Sequence, residues 1–178
     1  MEIRRLPVDE AAVRRFVVEL WLPYHQELAT MIDDHALATD VDVVDEEVAY
    51  RVERLQDDEF DTWIAVDRAR SDEAAPAGVL TDEAIDLAGF VATEVDRAPP
   101  VFDRPDRLVV ADLYVQRPYR GSGHGRTLLE RAADRARTLD CREITLQVDE
   151  ANEPAIAAYE ELGFERRQRQ LSIAVDDL

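Results

Sequence analysis

Residues Arg107 to Thr127 read RLVVADLYVQRPYRGSGHGRT, and the fold turns on this stretch. Arg107–Val115 is rich in β-formers and ends at a turn holding three glycines in five positions, Gly121, Gly123 and Gly125. Beyond it Leu128, Leu129, Ala132, Ala133, Ala136 and Leu139 fall on one helical stripe. A strand, a Gly-rich turn and a helix in that order make an anion cradle. Glycine admits positive φ and lets the backbone approach a ligand, while the free N–H groups of the helix N-terminus face the turn. Pyrophosphate is the natural anion for such a site; a tight connection without a ligand is the plain alternative. Two other phosphate motifs fail on their residues. The Walker A loop needs Gly-Lys, and the chain contains no lysine. The G-x-G-x-x-G fingerprint fails because Arg126 stands three residues after Gly123.

Working outward, Glu2–Leu6 reads as a short strand, and Asp9 is placed to cap a helix carrying Val13, Phe16, Val17, Leu20, Trp21 and Tyr24. Pro23 is expected to end or kink that helix. A second stripe runs through Val44, Val48, Val52 and Leu55, and Phe60–Asp67 and Asp86–Val95 read as strands. Arg68–Glu83 between them reads as a long hairpin loop, and Ala98-Pro99-Pro100 as a turn. After the long helix, Glu143–Val148 is a strand, and Asn152 caps a short helix with Pro154 in its first turn and Gly163 at its close. Phe164–Val175 is a last extended segment. Adjacent strands imply hairpins and the later strand–helix–strand implies a parallel crossover, so the class is α/β with a mixed, mostly antiparallel sheet covered by helices on both faces.

At 178 residues the chain reads as one domain. All 21 basic residues are arginine against 40 acidic ones, giving a net charge of −19. Such a surface suits very high salt, where self-repulsion is screened within a few Å; codon bias accounts for the missing lysine but not for the acidity. It disfavours nucleic acid. No run of 18 apolar residues spans a membrane and no leader pattern opens the chain, so the expected location is cytoplasmic. One cysteine, Cys141, makes no intrachain disulfide, and with His25, His35 and His124 it forms no zinc spacing. No metal is expected.

Arg120-x-x-Gly123-x-Gly125 resembles the signature of the GCN5-related N-acetyltransferase family, and Asn152, Ala155, Tyr159 and Gly163-Phe164 resemble its second block. Leu113-Tyr114-Val115 and Pro118-Tyr119-Arg120 are similar to the family too; the likeness covers about residues 108–166. The resemblance implies an acyl-CoA N-acyltransferase fold, with a parallel strand pair splayed at the cofactor site, and acetyl-CoA as cofactor. Leu113, Tyr114 and Val115 would pair with the pantetheine arm. Arg120, Gly121, Ser122, Gly123, His124, Gly125, Arg126 and Thr127 would surround the pyrophosphate, and Asn152 would contact the arm.

The implied chemistry is direct attack of an amine on the thioester in a ternary complex, with backbone N–H groups stabilising the developing oxyanion. Tyr159 is the candidate general acid, against a packing role beside Ile156 and Leu162. Family members that acetylate protein N-termini often carry a Glu where this chain has Gln147, which takes no proton. Asp112 is the substitute base, a reading level with that of a structural carboxylate. His124 is expected to be solvated. Tyr24 and His25 are candidates for the acceptor wall, Trp21 for the core. The acceptor is a small-molecule or peptide amine of unspecified kind. A non-catalytic acyl-CoA-binding module, or a regulatory protein using its acidic surface, are the rival readings. The single last segment leaves room for a homodimer that exchanges a strand.

Overall fold

The computed structural model describes residues 1–67, 80–82 and 85–177. Apart from 80–82, the long loop expected over Arg68–Glu83 lies outside the described residues. The chain forms two compact units, Met1–Gln147 and Val148–Leu178.

The first unit is a five-stranded sheet in the order β1 (Glu2–Arg5), β2 (Phe60–Asp67), β3 (Asp86–Asp96), β4 (Arg107–Val115), β5 (Glu143–Leu146). The first three pairings are antiparallel, and β4–β5 is parallel. Between β1 and β2 run α1 (Glu10–Phe16), α2 (Leu22–Ala29) and α3 (Val43–Arg54); α4 (His124–Thr138) crosses from β4 to β5. Asp9 caps α1, its carboxylate accepting from Ala12 N. The helical run does not end at Pro23, and the irregularity there takes the form of a π-helical turn just before it. A wide π-helical turn, Val17–Trp21, joins α1 to α2, and Pro23 falls in the first turn of α2, where the loosened ladder accommodates its ring.

Two layers cover the sheet. Phe16, Leu20, Val48, Phe60, Ile64, Val66 and Phe90 share one core, with the Phe16 and Phe90 rings edge to face at 4.9 Å. Each such fully buried side chain contributes about 1.5–3 kcal/mol. On the opposite face α4 buries Leu128, Leu129, Ala132 and Ala136, and its Arg131 lies 3.7 Å over the Trp63 ring. Arg15 of α1 fastens the β3 end of the β2–β3 connection by donating to Leu80 O, Asp82 O and Ile85 O at 2.6–2.7 Å.

One irregularity positions the site. Ala92 pairs with Asp112 but Thr93 with Val110, so Ala111 is an extra residue in β4. A bulge reverses the in–out alternation beyond it. Val110 therefore shares the α4 face with Thr93, while Asp112 and Tyr114 turn toward α1–α3, where Arg51 of α3 stands 3.8 Å from Asp112.

In the second unit Asn152 caps α5 (Glu153–Glu161), accepting from Ala155 N at 3.3 Å, and Gly163 at φ +92° ends it. The final strand expected over Phe164–Val175 is absent. Those residues pair with no strand among the described residues, and Leu171, Ile173 and Val175 are exposed. Among the described residues no helix is long and apolar enough to cross a membrane.

Candidate active site

β4 outruns its parallel neighbour. β5 covers Arg107 to Val110, and Ala111 to Val115 have no strand on that side among the described residues. Gln116 N donates to Ala88 O, so strand alternation turns the main-chain groups of Leu113 and Val115 to the uncovered edge. On the covered side β3 lies very close: a Cβ on Gly89 would stand 2.4 Å from Tyr114 O, so only glycine fits there. The expected splayed pair is thus a strand edge at which no neighbouring strand among the described residues pairs with Leu113 on the open side, while Val115 O accepts from Arg120 Nε; such an edge has the geometry that accepts an extended amide-bearing chain.

That edge runs through a short turn, Arg117–Tyr119, to the glycines. Gly121 and Gly123 adopt φ +73° and +88°, the left-handed region that other residues enter only with strain. Gly123 occupies the cap position of α4 without a side-chain cap, which leaves the N–H groups of His124, Gly125 and Arg126 for a ligand. Ser122 Oγ donates to Tyr119 O and lies 2.8 Å from His124 Nδ1. The expectation of a solvated His124 is corrected: the ring is buried against Tyr119, because the αL turn folds it back onto the strand end. Arg126 is exposed and pairs with Glu130, while Thr127 Oγ1 reaches Gly123 O. The Arg120 guanidinium is committed within the protein. Its two terminal nitrogens donate to the Glu27 carboxylate, and Nε donates to Val115 O.

Beside the uncovered edge lies a group of titratable side chains from α2, α3 and β4. His25 stacks between Trp21 (4.3 Å) and Tyr24 (4.8 Å), with the His35 ring 6.1 Å away; Tyr24 in turn lies 5.5 Å from Tyr114. Burial, and then the neighbouring His35 and Arg51, lower the His25 pKa to about 4, so its imidazole is neutral at pH 7. Arg51 lies 5.5 Å from the centroids of both the Phe16 and Phe60 rings and forks onto Glu47 at 2.6 and 2.9 Å. It stops 3.8 Å short of Asp112, beyond hydrogen-bond distance. Burial raises the proton affinity of Asp112, with Arg51 and His35 opposing and Glu94 adding; burial raises Glu47 too, against its pairing with Arg51. Half-buried carboxyls with raised proton affinity, set on either side of one guanidinium, are suited to hold and pass protons.

Tyr159 and Asn152 belong to the second unit. Tyr159 packs edge-on to Phe164 at 5.6 Å, and Phe164 N donates to Tyr159 O. Asn152 spends its carbonyl oxygen on the α5 cap. Arg166 pairs with Glu160, as a solvated position does. Among the described residues no group of three His, Cys, Asp or Glu side chains is arranged to hold a metal ion. Glu27, Glu47, Arg51 and Gly89 were not singled out from sequence. The Glu47–Arg51 spacing of four on a helix was the available sign; Glu27 and Gly89 left none, since their partners lie far along the chain.

The model of the Acetyltransferase (GNAT) family matches residues 40–164, a range that spans both units. The chain belongs to that family. Streptothricin acetyltransferase of Streptomyces lavendulae is 39% identical over 79 residues, 44% of this chain and 39% of the relative, so the match spans well under half of that protein's length. Among solved structures, a tetramutant of the BH1408 protein from Bacillus halodurans superposes with a TM-score of 0.74 at 18% identity, covering 98% of this chain and 100% of the other. The aminoglycoside N-acetyltransferase AAC(6')-Iy, solved in complex with CoA, gives 0.63 at 16% identity, covering 97% and 93%. These likenesses establish the same fold.

Proposed function

We propose that the protein is an N-acetyltransferase that moves an acetyl group from acetyl-CoA to an amine by direct attack in a ternary complex. The observation that carries this is the uncovered edge of β4 leading into the uncapped N-terminus of α4 through two positive-φ glycines. The CoA complex of AAC(6')-Iy supports the choice of cofactor. The residues fit that group. Leu113 offers its main-chain N–H and C=O, and Val115 its N–H, to an amide-bearing arm, and the first N–H groups of α4 offer donors to a pyrophosphate. The thioester supplies the acetyl group: an amide C–N bond forms, the C–S bond breaks, and a proton ends on sulfur.

The chain's own residues supply the rest. Leu113 N–H at the open edge is the donor available to the acyl oxygen. Asp112, one residue before it and with raised proton affinity, takes the proton from the acceptor nitrogen. Tyr159 provides the proton for the leaving thiolate, and Asn152 steadies the cofactor arm; both roles rest on the family's second block. Both units form one acetyltransferase domain in this reading.

Free thiol released from acetyl-CoA, measured across a panel of amines, tests the proposal. Amine-dependent release supports it. Tight binding of CoA with no release for any amine would leave a non-catalytic binding module instead.

A further inference from the structure

Arg51 Nη2 of α3 stands near two carboxylates and bonds to one of them. It donates to Glu47 Oε1 at 2.6 Å, joined by Nε at 2.9 Å, and lies 3.8 Å from Asp112 Oδ2, beyond hydrogen-bond reach. Glu47 and Arg51 are one helical turn apart on α3, the spacing at which side chains meet. The Phe16 and Phe60 rings, with centroids 5.5 Å from the guanidinium carbon, pack against the same group from α1 and β2. All three polar side chains are largely enclosed: Arg51 keeps 5% of its surface open, Glu47 11% and Asp112 18%. Water therefore screens little of the difference between a bonded and an unbonded Asp112.

Resting on the acetyl-transfer reading above, we infer that Glu47 is a positioning residue for that reaction: by holding Arg51 it keeps the guanidinium off Asp112. In this role Glu47 touches no substrate and acts only through Arg51. A carboxylate that accepts from a guanidinium is stabilised in its charged form and becomes a weak base. Left without that bond in an enclosed place, Asp112 keeps a raised proton affinity. A general base serves best when its affinity lies near the working pH. The charged and titratable groups that face Asp112 are Arg51 and Glu47 of α3, His35 of the turn after α2, and Glu94 of β3. Glu94 has its own partner in Arg54 at 2.7 Å. Among the described residues Arg51 is the cation within 4 Å of Asp112, so the direction in which its fork points sets how readily that carboxylate takes a proton.

The test reads Asp112 in two ways in the full chain. Carbon NMR of the side-chain carboxyls, with the Asp112 signal assigned by Asp112→Asn, follows its titration directly. The pH profile of kcat/KM at saturating acetyl-CoA follows it through turnover, using the amine of the panel that releases thiol fastest; the titration of that amine is common to every variant. Glu47→Gln frees Arg51 to bond to Asp112. Both midpoints should then fall by about one pH unit, a tenfold loss of proton affinity, and the plateau of kcat/KM by about threefold. Arg51→Met should move both midpoints upward instead. Because it leaves Glu47 enclosed without a partner, Glu47→Gln/Arg51→Met is the companion variant, and there too neither midpoint should fall. A lower rate in Glu47→Gln with both midpoints unmoved is the mark of a purely structural role and overturns the inference. So does a titration that shifts while the pH profile stays in place. Thiol release with no amine at all refutes the acetyl-transfer reading itself, and the inference with it.

Discussion

Arg120 grips both carboxylate oxygens of Glu27 at 2.9 Å across 93 residues of chain, and its Nε donates to Val115 O at 2.8 Å. One guanidinium therefore fastens α2, which carries Tyr24 and His25, to the end of β4. The pairing lowers the Glu27 pKa. Because the pair is partly exposed, its coupling should be modest, about 1 kcal/mol. A double-mutant cycle of Glu27→Gln and Arg120→Gln in urea measures it; additive effects would mean that the two side chains are held independently.

Gly89→Ala places a methyl against a backbone oxygen that cannot rotate away. The expected loss is about 1–3 kcal/mol, with the β3–β4 pairing disturbed at Val115. An unchanged urea midpoint would show that the strands lie farther apart than this register requires.

His25 is neutral in the folded chain down to about pH 4 but charges near 6.5 when unfolded. Its burial therefore adds stability above pH 6.5 that is lost as pH falls toward 4, since the unfolded chain binds the extra proton there. After allowance for partial exposure the change is about 1–2 kcal/mol. Glu47 and Asp112, with raised affinities, work in the opposite direction. The measurement is the difference in stability between the unmodified chain and His25→Asn across pH 4–6.5. It should shrink as pH falls, and a flat difference would contradict a buried neutral imidazole.

Tyr159→Phe removes only a hydroxyl. If that hydroxyl protonates the leaving thiolate, kcat falls about tenfold or more with KM for acetyl-CoA retained. Unchanged turnover assigns the ring to packing against Phe164.

The charge of −19 leads to a prediction about salt. Raising NaCl from 0.1 to 1 M shortens the screening length from about 10 to about 3 Å. The thermal midpoint should rise by about 10 °C, roughly 3 kcal/mol. Full stability in dilute buffer would reduce the missing lysine to a codon effect.

Much of the architecture was readable because its causes are local. β2 and β4 have the bounds expected from their runs of β-formers, and Asp9 and Asn152 cap the helices their spacing promised. The missing last strand is different: alternating Leu171, Ile173 and Val175 satisfies the pattern, but a strand also needs a neighbour, which pattern does not supply. His124 shows the same limit. Its position in a Gly-rich turn said loop, whereas its burial depends on where Tyr119 and Ser122 lie.

By itself the sequence determined the family, the Gly-rich turn and the order of strands and helices as far as α5, since these follow from glycine's backbone freedom, from helix ends and from periodicity within a few residues. Tertiary structure decided the rest. The extra residue at Ala111 turns Asp112 toward Arg51, the Glu47 fork keeps Arg51 from reaching it, and Arg120 closes on Glu27 rather than on a ligand. Each of these depends on groups brought together from distant parts of the chain, whose charge and burial exist only once the sheet has formed.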